Sequence, residues 1–420
     1  MPLGRLLVDV RPLREHRVYR RLWVGTAVSA IGTGLTLFAV PLQVYRLTGS
    51  SAAVGGLGVV RLVPLLTVGL LGGAAADRVD RRRLVLVTST ALAVVALGFA
   101  AQAEAGARSV ALLYALTAAQ SLLVAVDSPA RRTFVPRLLP AHQLGAGQAL
   151  TQLAGRTSLI VGPAVGGLIA AVAGLRLCYF LDAVSYSAAL YGLARLPVLP
   201  PLHAISTTSV RAVVEGLRFI QRSPLLTGAF LADLDATVLG VPVALFPALN
   251  AEHFGGSAET LGLLTSAVGV GGLVASLLSG PVSRAARPGR DMLVTVALWG
   301  AAITAFGFTR TLWLALVLLA VAGAADTSSV TLRTTLVQAV TPDRLRGRIS
   351  AVDFIIGAGG PQLGNIESGL VAAASTPVVS AVSGGIGTAL GAGLIRVLLP
   401  QLAEHRHDPA LPARGTLGGW

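Results

Sequence analysis

Long apolar runs alternate along this chain with short clusters of charged, Pro or Gly-Ser positions. Twelve runs approach or exceed the ~20 residues that a helix needs to cross a ~30 Å hydrocarbon core. They fall at 22–46, 52–76, 83–102, 109–128, 145–173, 177–195, 225–249, 259–281, 291–308, 311–332, 348–373 and 376–398. Their residues are apolar on every face and lack period-two alternation, so the pattern predicts helices and excludes a membrane β-barrel. The longest internal polar stretch, "PVLPPLHAISTTSVRAVVEGLRFIQRS", separates the sixth run from the seventh. It reads as a Pro-rich exit followed by a short amphipathic helix. The expected architecture is an all-α polytopic membrane protein with an N-terminal six-helix bundle (1–196), a linker (197–222) and a C-terminal six-helix bundle with its tail (223–420).

Composition agrees: over 420 residues 54% are hydrophobic and 12% charged, with a mean hydropathy of +0.74. The charge then orients the spans. All 33 basic residues are Arg, and 27 of them fall in segments on the N-terminal side. Four, Arg46, Arg108, Arg176 and Arg310, fall on the other side, and Arg61 and Arg156 fall within spans. Such a bias over short loops places both termini in the cytoplasm of a plasma-membrane protein. The net charge of +14 does not point to nucleic acid, because aromatics are only 5% of the chain. The six Arg ahead of the first run come with no small-residue cleavage site, so the first span is expected to stay in place. Cys178 is the sole cysteine, which excludes an internal disulfide or a Cys-based metal centre. The six His lie mostly in loops or the tail and suggest no metal. No Lys is present to build a nucleotide-phosphate loop, and "GVGVGG" and "GGIGTALGAG" lie inside apolar spans with no strand before them. No cofactor is expected.

The two halves align with each other. "LLGGAAADRVDRRRLVL" after the second span matches "LLSGPVSRAARPGRDML" after the eighth, and "VGPAVGGLIAA" matches "GGPQLGNIESGLVAA". Parallel repeats of this kind mark two-bundle secondary transporters. Over essentially its whole length the chain resembles the major facilitator superfamily. "GGAAADRVDRRR" resembles its signature between spans 2 and 3, and "GPAVGG" the fifth-span signature of its exporters and antiporters. "SPLLTGAFLADL", "FPALNAEHF", "SRAARPG" and "TPDRLRGRI" are similar to the branch holding the enterobactin (catecholate siderophore) exporter and macrolide efflux permeases. Two departures stand out. Asp80 replaces a Gly of the general pattern, and Arg284 stands at the second-half position of Asp77.

The resemblance implies a gate on the cytoplasmic side. Asp77 would face the N-terminus of the helix beginning near Gly347, where the helix dipole favours an anion, and Arg78 or Arg81 would bridge to Asp127 at the end of span 4. The alternative for this cluster, favoured for Arg82 and Arg83, is an anchor on lipid phosphates. Arg156, midway along span 5, must face a cavity or a carboxylate. It would attract an anionic substrate or pair with Asp182. Arg61 and Glu367 fall at similar depth on spans 2 and 11, which suggests an outer latch, with substrate contact as the rival for Arg61. Asp233 and Asp235 of span 7 lie about 200° apart on a helix, so at most one faces the cavity centre. Burial favours the neutral form of a carboxylate, which is what proton coupling needs; a polar patch near the cytoplasmic interface is the alternative. Asp326 and Asp353 read as interfacial partners of loop arginines. Gly162, Pro163, Gly166 and Gly167 strip one face of span 5, permit a bend, and are expected to pack against span 8.

The expected function is secondary active export of a small amphipathic or anionic, siderophore-like compound by alternating access and proton antiport. Macrolide or multidrug efflux, import on the same fold, and a non-transporting lipid-handling or regulatory role are the alternatives. The expected partners are a small-molecule substrate and the bilayer, with the proton gradient as drive and the protein a monomer.

Overall fold

The computed structural model describes residues 9–76, 80–197, 210–240, 243–282 and 285–406. Among these the regular structure is helical, with no strand. Six long helices precede the linker: α1 (Arg17–Thr48), α2 (Ser51–Ala76), α3 (Arg81–Glu104), α4 (Val110–Arg132), α5 (Leu144–Val172) and α6 (Gly174–Ala194). The amphipathic linker helix is α7 (Val210–Gln221). After it come α8 (Pro224–Leu239), α9 (Phe246–His253), α10 (Ala258–Leu277), α11 (Pro288–Phe308), α12 (Leu312–Val340), α13 (Arg346–Ala374), α14 (Pro377–Leu398) and the short α15 (Pro400–Glu404). Among the described residues ten stretches are long and apolar enough to cross a membrane, the span Pro224–His253 holding both α8 and α9. The other two expected spans, α2 and α13, are helices of 26 and 29 residues. Arg346, Arg348, Asp353 and Glu367 lower the hydropathy of α13.

Helix starts follow local chemistry. The side chains of Ser109, Ser223, Ser257 and Thr376 each accept from a backbone N–H three residues on, satisfying an otherwise orphaned donor. Pro224, Pro288 and Pro377 follow at first-turn positions, where no N–H is needed. Gly49, Gly106, Gly174 and Gly255 turn the chain with φ of 62–81°, a region that glycine enters without strain.

Contacts divide the chain into two units, residues 1–47 with 63–206 and residues 48–62 with 207–420. In the first, small residues let α1 approach its neighbours. A Cβ on Gly162 would stand 2.7 Å from the Gly34 Cα, and one on Gly166 would stand 2.9 Å from the Phe38 ring. Gly162 and Gly166 thus seat α5 on α1 within the same unit, a neighbour that the expected pairing with span 8 overlooked. In the second unit α10 meets α12 at Gly271 and Gly323, and α11 meets α14 at Gly300 and Gly385. The opening turns of α2 pack on α13: Gly55 and Gly58 face the Asn365 and Gln362 carbonyls, and Gly369 faces that of Ser51. The linker helix buries Ile220 among Val337, Ile349 and Val352, and Glu215 bridges to Arg348 at 2.9 Å.

Two differences from the expected spans matter. Span 7 is not one helix: α8 ends at Leu239 and α9 begins at Phe246, with the sequence "GVP" lying between them. Gly is entropically costly inside a helix and Pro lacks a donor. The interruption is satisfied by neighbours: Trp299 Nε1 donates to the Gly240 carbonyl at 2.9 Å, and the Ala244 N–H donates to Asn365 Oδ1 at 3.2 Å. Span 10 runs on to Val340 rather than ending at 332, which carries Arg333 into the helix.

Candidate functional site

Extending α12 brings a cation between two acids. Arg333 is seven residues before the end of α12, Asp353 seven residues into α13 and Asp233 nine residues into α8. At 1.5 Å per residue all three lie roughly 10–14 Å in from the arginine-rich ends of their helices. Arg333 Nε stands 3.3 Å from Asp233 Oδ1, and its Nη1 donates to Asp353 Oδ1. The guanidinium also lies over the Phe230 ring, 5.7 Å from its centroid. Gly357, one turn beyond Asp353, supplies no side chain to crowd it: a Cβ there would first meet Arg333 Nη2 at 4.0 Å.

Burial makes the cluster consequential. The Arg333 and Asp233 side chains are 4% and 5% exposed, and that of Asp353 is 33% exposed. One Asp233 oxygen, Oδ2, is buried without a hydrogen-bond partner. Two carboxylates facing one guanidinium leave a surplus negative charge, which a low-dielectric site tolerates poorly unless a proton or cation joins it. Asp353 is the most exposed member of the three.

Asp235 points elsewhere on α8. A Cβ on Gly391 of α14 would lie 2.1 Å from Asp235 Oδ1, and Asp235 Oδ2 is buried without a partner. The two acids of "LADLDATVLG" therefore do divide between opposite sides of the helix.

In the first unit the acids are held differently. Asp182 on α6 is wholly buried and accepts from Thr36 Oγ1 at 2.6 Å and Thr33 Oγ1 at 3.5 Å, both on α1. Thr33 also contacts Tyr186 Oη at 3.2 Å. Nearby, Gln43 and Gln102 exchange amide hydrogen bonds, and Tyr179 Oη donates to Gln43 at 2.7 Å. Asp127 is taken by Arg131 one turn along its own helix and by Thr88, while Arg131 Nη2 donates to Ser89 at 2.7 Å.

Several expected pairings differ. Asp127 is bound by Arg131 and Thr88 rather than by Arg81, which is buried at the first turn of α3. Asp77 and Arg78 lie outside the described residues, as does the contact drawn for them. Asp182 is paired with hydroxyls and not with Arg156, which is half-buried on α5. Arg61 and Glu367 form no ion pair with each other. Helix register explains it: Gly58 lies against Gln362 and Gly55 against Asn365 and Gly369, so Glu367 is level with Gly55. Arg61 is six residues along, roughly 9 Å away on the axis. Both side chains are half-buried and without a polar partner among the described residues. Asp326 is central in α12, fourteen residues from either end, rather than at the interface.

The expected span end at 332 leaves Arg333 in a loop, whereas the helix runs past it to Val340. The signal was present in "VTLRTTLVQAV", whose apolar positions Leu336, Val337 and Val340 continue the helical face past the charge.

Comparison with known proteins agrees with this architecture. The family described as transmembrane secretion effector, a major facilitator family, matches residues 9–415. The enterobactin exporter EntS of Citrobacter koseri is 30% identical over 407 residues, covering 97% of each chain. The EntS of Escherichia coli O157:H7 is 30% identical over 404 residues, covering 96% of this chain and 97% of its own. Among solved structures, the nucleoside transporter NupG aligns with a TM-score of 0.74 at 12% identity, covering 92% of this chain and 99% of its own. The D-xylose–proton symporter aligns with a TM-score of 0.74 at 16% identity and the same coverage.

Proposed function

We propose, from the premise that this chain belongs to the transmembrane secretion effector family of the major facilitator superfamily, that it exports a small anionic or amphipathic, siderophore-like compound by proton antiport. It is a multi-pass membrane transporter and not an enzyme. In the proposed arrangement it resides in the plasma membrane as a monomer, with its arginine-rich ends in the cytoplasm.

The observation that carries proton coupling is the buried Asp233–Arg333–Asp353 cluster. Asp353 is the proton's entry point because it is the exposed member. With Asp353 ionised, Arg333 ties α12 to both α8 and α13. A proton on Asp353 removes that anion, leaves Arg333 balanced by Asp233 alone and loosens α13. Equilibria of this kind shift only by the difference in affinity between states, and an ion pair made in one of them supplies it. Arg61, half-buried and without a counter-ion among the described residues, is the cation in the second unit for an anionic cargo, and Arg156, which holds a contact of its own, is the half-buried cation of α5 in the first. Asp182 and Asp235 are secondary carriers. Asp77, Arg78, Arg81 and Asp127 keep the gating role that the family signature implies.

Inverted membrane vesicles test the reading. A labelled catecholate siderophore should accumulate when the lumen is acidified and stop when the gradient is collapsed. Asp353→Asn should abolish gradient-driven accumulation while leaving counter-flow of cargo without a gradient. Accumulation indifferent to the gradient would sink proton antiport. Uptake of a labelled macrolide in place of the catecholate would leave the coupling and replace the substrate class.

A further inference from the structure

Three arginines outside the Asp233–Arg333–Asp353 cluster converge at the arginine-rich end of the second unit. Arg287 is the N-cap of α11, Arg290 lies in the first turn of that helix, and Arg396 lies in the last turn of α14. Together with Pro400, Ala403 and Glu404 of α15 they line one open cavity of about 200 Å³. No guanidinium of the three has an ion-pair or hydrogen-bond partner among the described residues, although Arg333, Arg346 and Arg348 of the same unit are all paired. Three guanidiniums against the one carboxylate of Glu404 leave the cavity with a charge of +2. No side chain caps the first turn of α11, and Asp291 in that turn offsets part of its helix dipole.

An apolar wall rises from the cationic end. On α11, Val294 and Leu298 follow Arg290 at successive four-residue steps, and both are exposed. On α14, Gly393 precedes Arg396 by three residues, and a Cβ there would meet nothing within 4 Å, which leaves an open channel on that face. Leu394 and Val397 flank it, again exposed. An inorganic anion would use only the arginines. A molecule with a phosphate and an acyl chain would use both surfaces.

We propose that this cavity is a binding site for the phosphate headgroup of an anionic phospholipid, with an acyl chain lying along Val294 and Leu298 and beside Gly393. The arginines are then held at the headgroup layer by a diester phosphate, and the lipid relieves their mutual repulsion where α11, α14 and α15 meet. Gly289 packs directly against the Leu402 carbonyl of α15, so the site clamps the end of the chain's last described helix to α11.

Native mass spectrometry of the full-length protein in detergent, titrated with phosphatidylglycerol, tests the site. The triple variant Arg287→Gln, Arg290→Gln, Arg396→Gln should bind phosphatidylglycerol at least about tenfold more weakly than the parent. A control with Arg20→Gln and Arg21→Gln on α1 should bind as the parent does. Phosphatidylcholine should not distinguish the proteins, and glycerol 3-phosphate should not displace phosphatidylglycerol. Equal retention by the triple variant, or an equal loss in the α1 control, would overturn the site. Displacement by glycerol 3-phosphate would overturn the lipid in favour of a free phosphate ester. The single exposed-residue variant Arg396→Gln, which removes no packing, should weaken binding in the same direction, and unchanged binding there counts against the proposal.

Discussion

In the first unit Asp182 is wholly buried with two threonine hydroxyls for partners, whereas in the second Asp233 is almost as deeply buried against a guanidinium that it shares with Asp353. The partners differ in what they permit. A hydroxyl donates to a carboxylate and, after rotating, accepts from a carboxylic acid, so Asp182 keeps its contacts whether or not it carries a proton. A guanidinium only donates. A proton that arrives in the second cluster therefore removes an ion pair instead of reversing a hydrogen bond, and the three helices it joins are no longer held alike. The first unit stores an acid; the second makes its helix contacts depend on one. The proposed proton antiport therefore draws on the second.

Breaking this contrast most severely means removing the cation. Arg333→Gln strands Asp233 beside Asp353 with no counter-charge, and loss of one partner from a buried pair costs about 3–5 kcal/mol. The expected result is a large fall in the melting temperature of the detergent-purified protein. Adding Asp233→Asn to the same chain removes the stranded carboxylate and should recover most of that loss. A single Arg333→Gln variant that melts with the parent would show that the cluster is not held by charge.

The sequence made the helix layout legible because membrane spans announce themselves: the expected and observed boundaries of α3, α5, α11 and α14 differ by three residues or fewer. Pairing was far less legible. Hydropathy places a charge within a span but says nothing about which way it faces, and Asp127 shows the cost. Its partner Arg131 is one turn along the same helix, a spacing open to view in "DSPARR", whereas the family signature implies a partner in a distant loop. Arg61 and Glu367 failed for a different reason. Depth along a span carries no register between helices, and the six residues from Arg61 to the level of Glu367 separate the two side chains. The break between α8 and α9 is satisfied by Trp299 and Asn365, which no local pattern connects to it.

A smaller effect sharpens the first-unit side of the comparison. Thr36→Val keeps the shape of the side chain and removes the 2.6 Å hydrogen bond to Asp182. A buried acceptor deprived of its donor costs about 1–3 kcal/mol, so the loss of stability should be clear but below that of Arg333→Gln. Gradient dependence of transport in vesicles should persist. Its disappearance in Thr36→Val would place the coupling proton on Asp182 and reverse the contrast between the units.

The smallest effect is expected where a charge has no partner to lose. Glu367→Gln and Arg61→Gln each alter a half-buried side chain without a polar neighbour among the described residues. Neither should shift stability by more than about 0.5 kcal/mol, as for substitutions that break no contact. Transport separates the two. Arg61→Gln should raise KM for an anionic cargo while leaving kcat and the KM of a neutral cargo in place, because it withdraws only an attraction for negative charge. Glu367→Gln should leave both constants unchanged. A melting temperature that falls with either variant would mean that a second conformation, with the partner restored, dominates in solution, and the outer latch between spans 2 and 11 would regain its place.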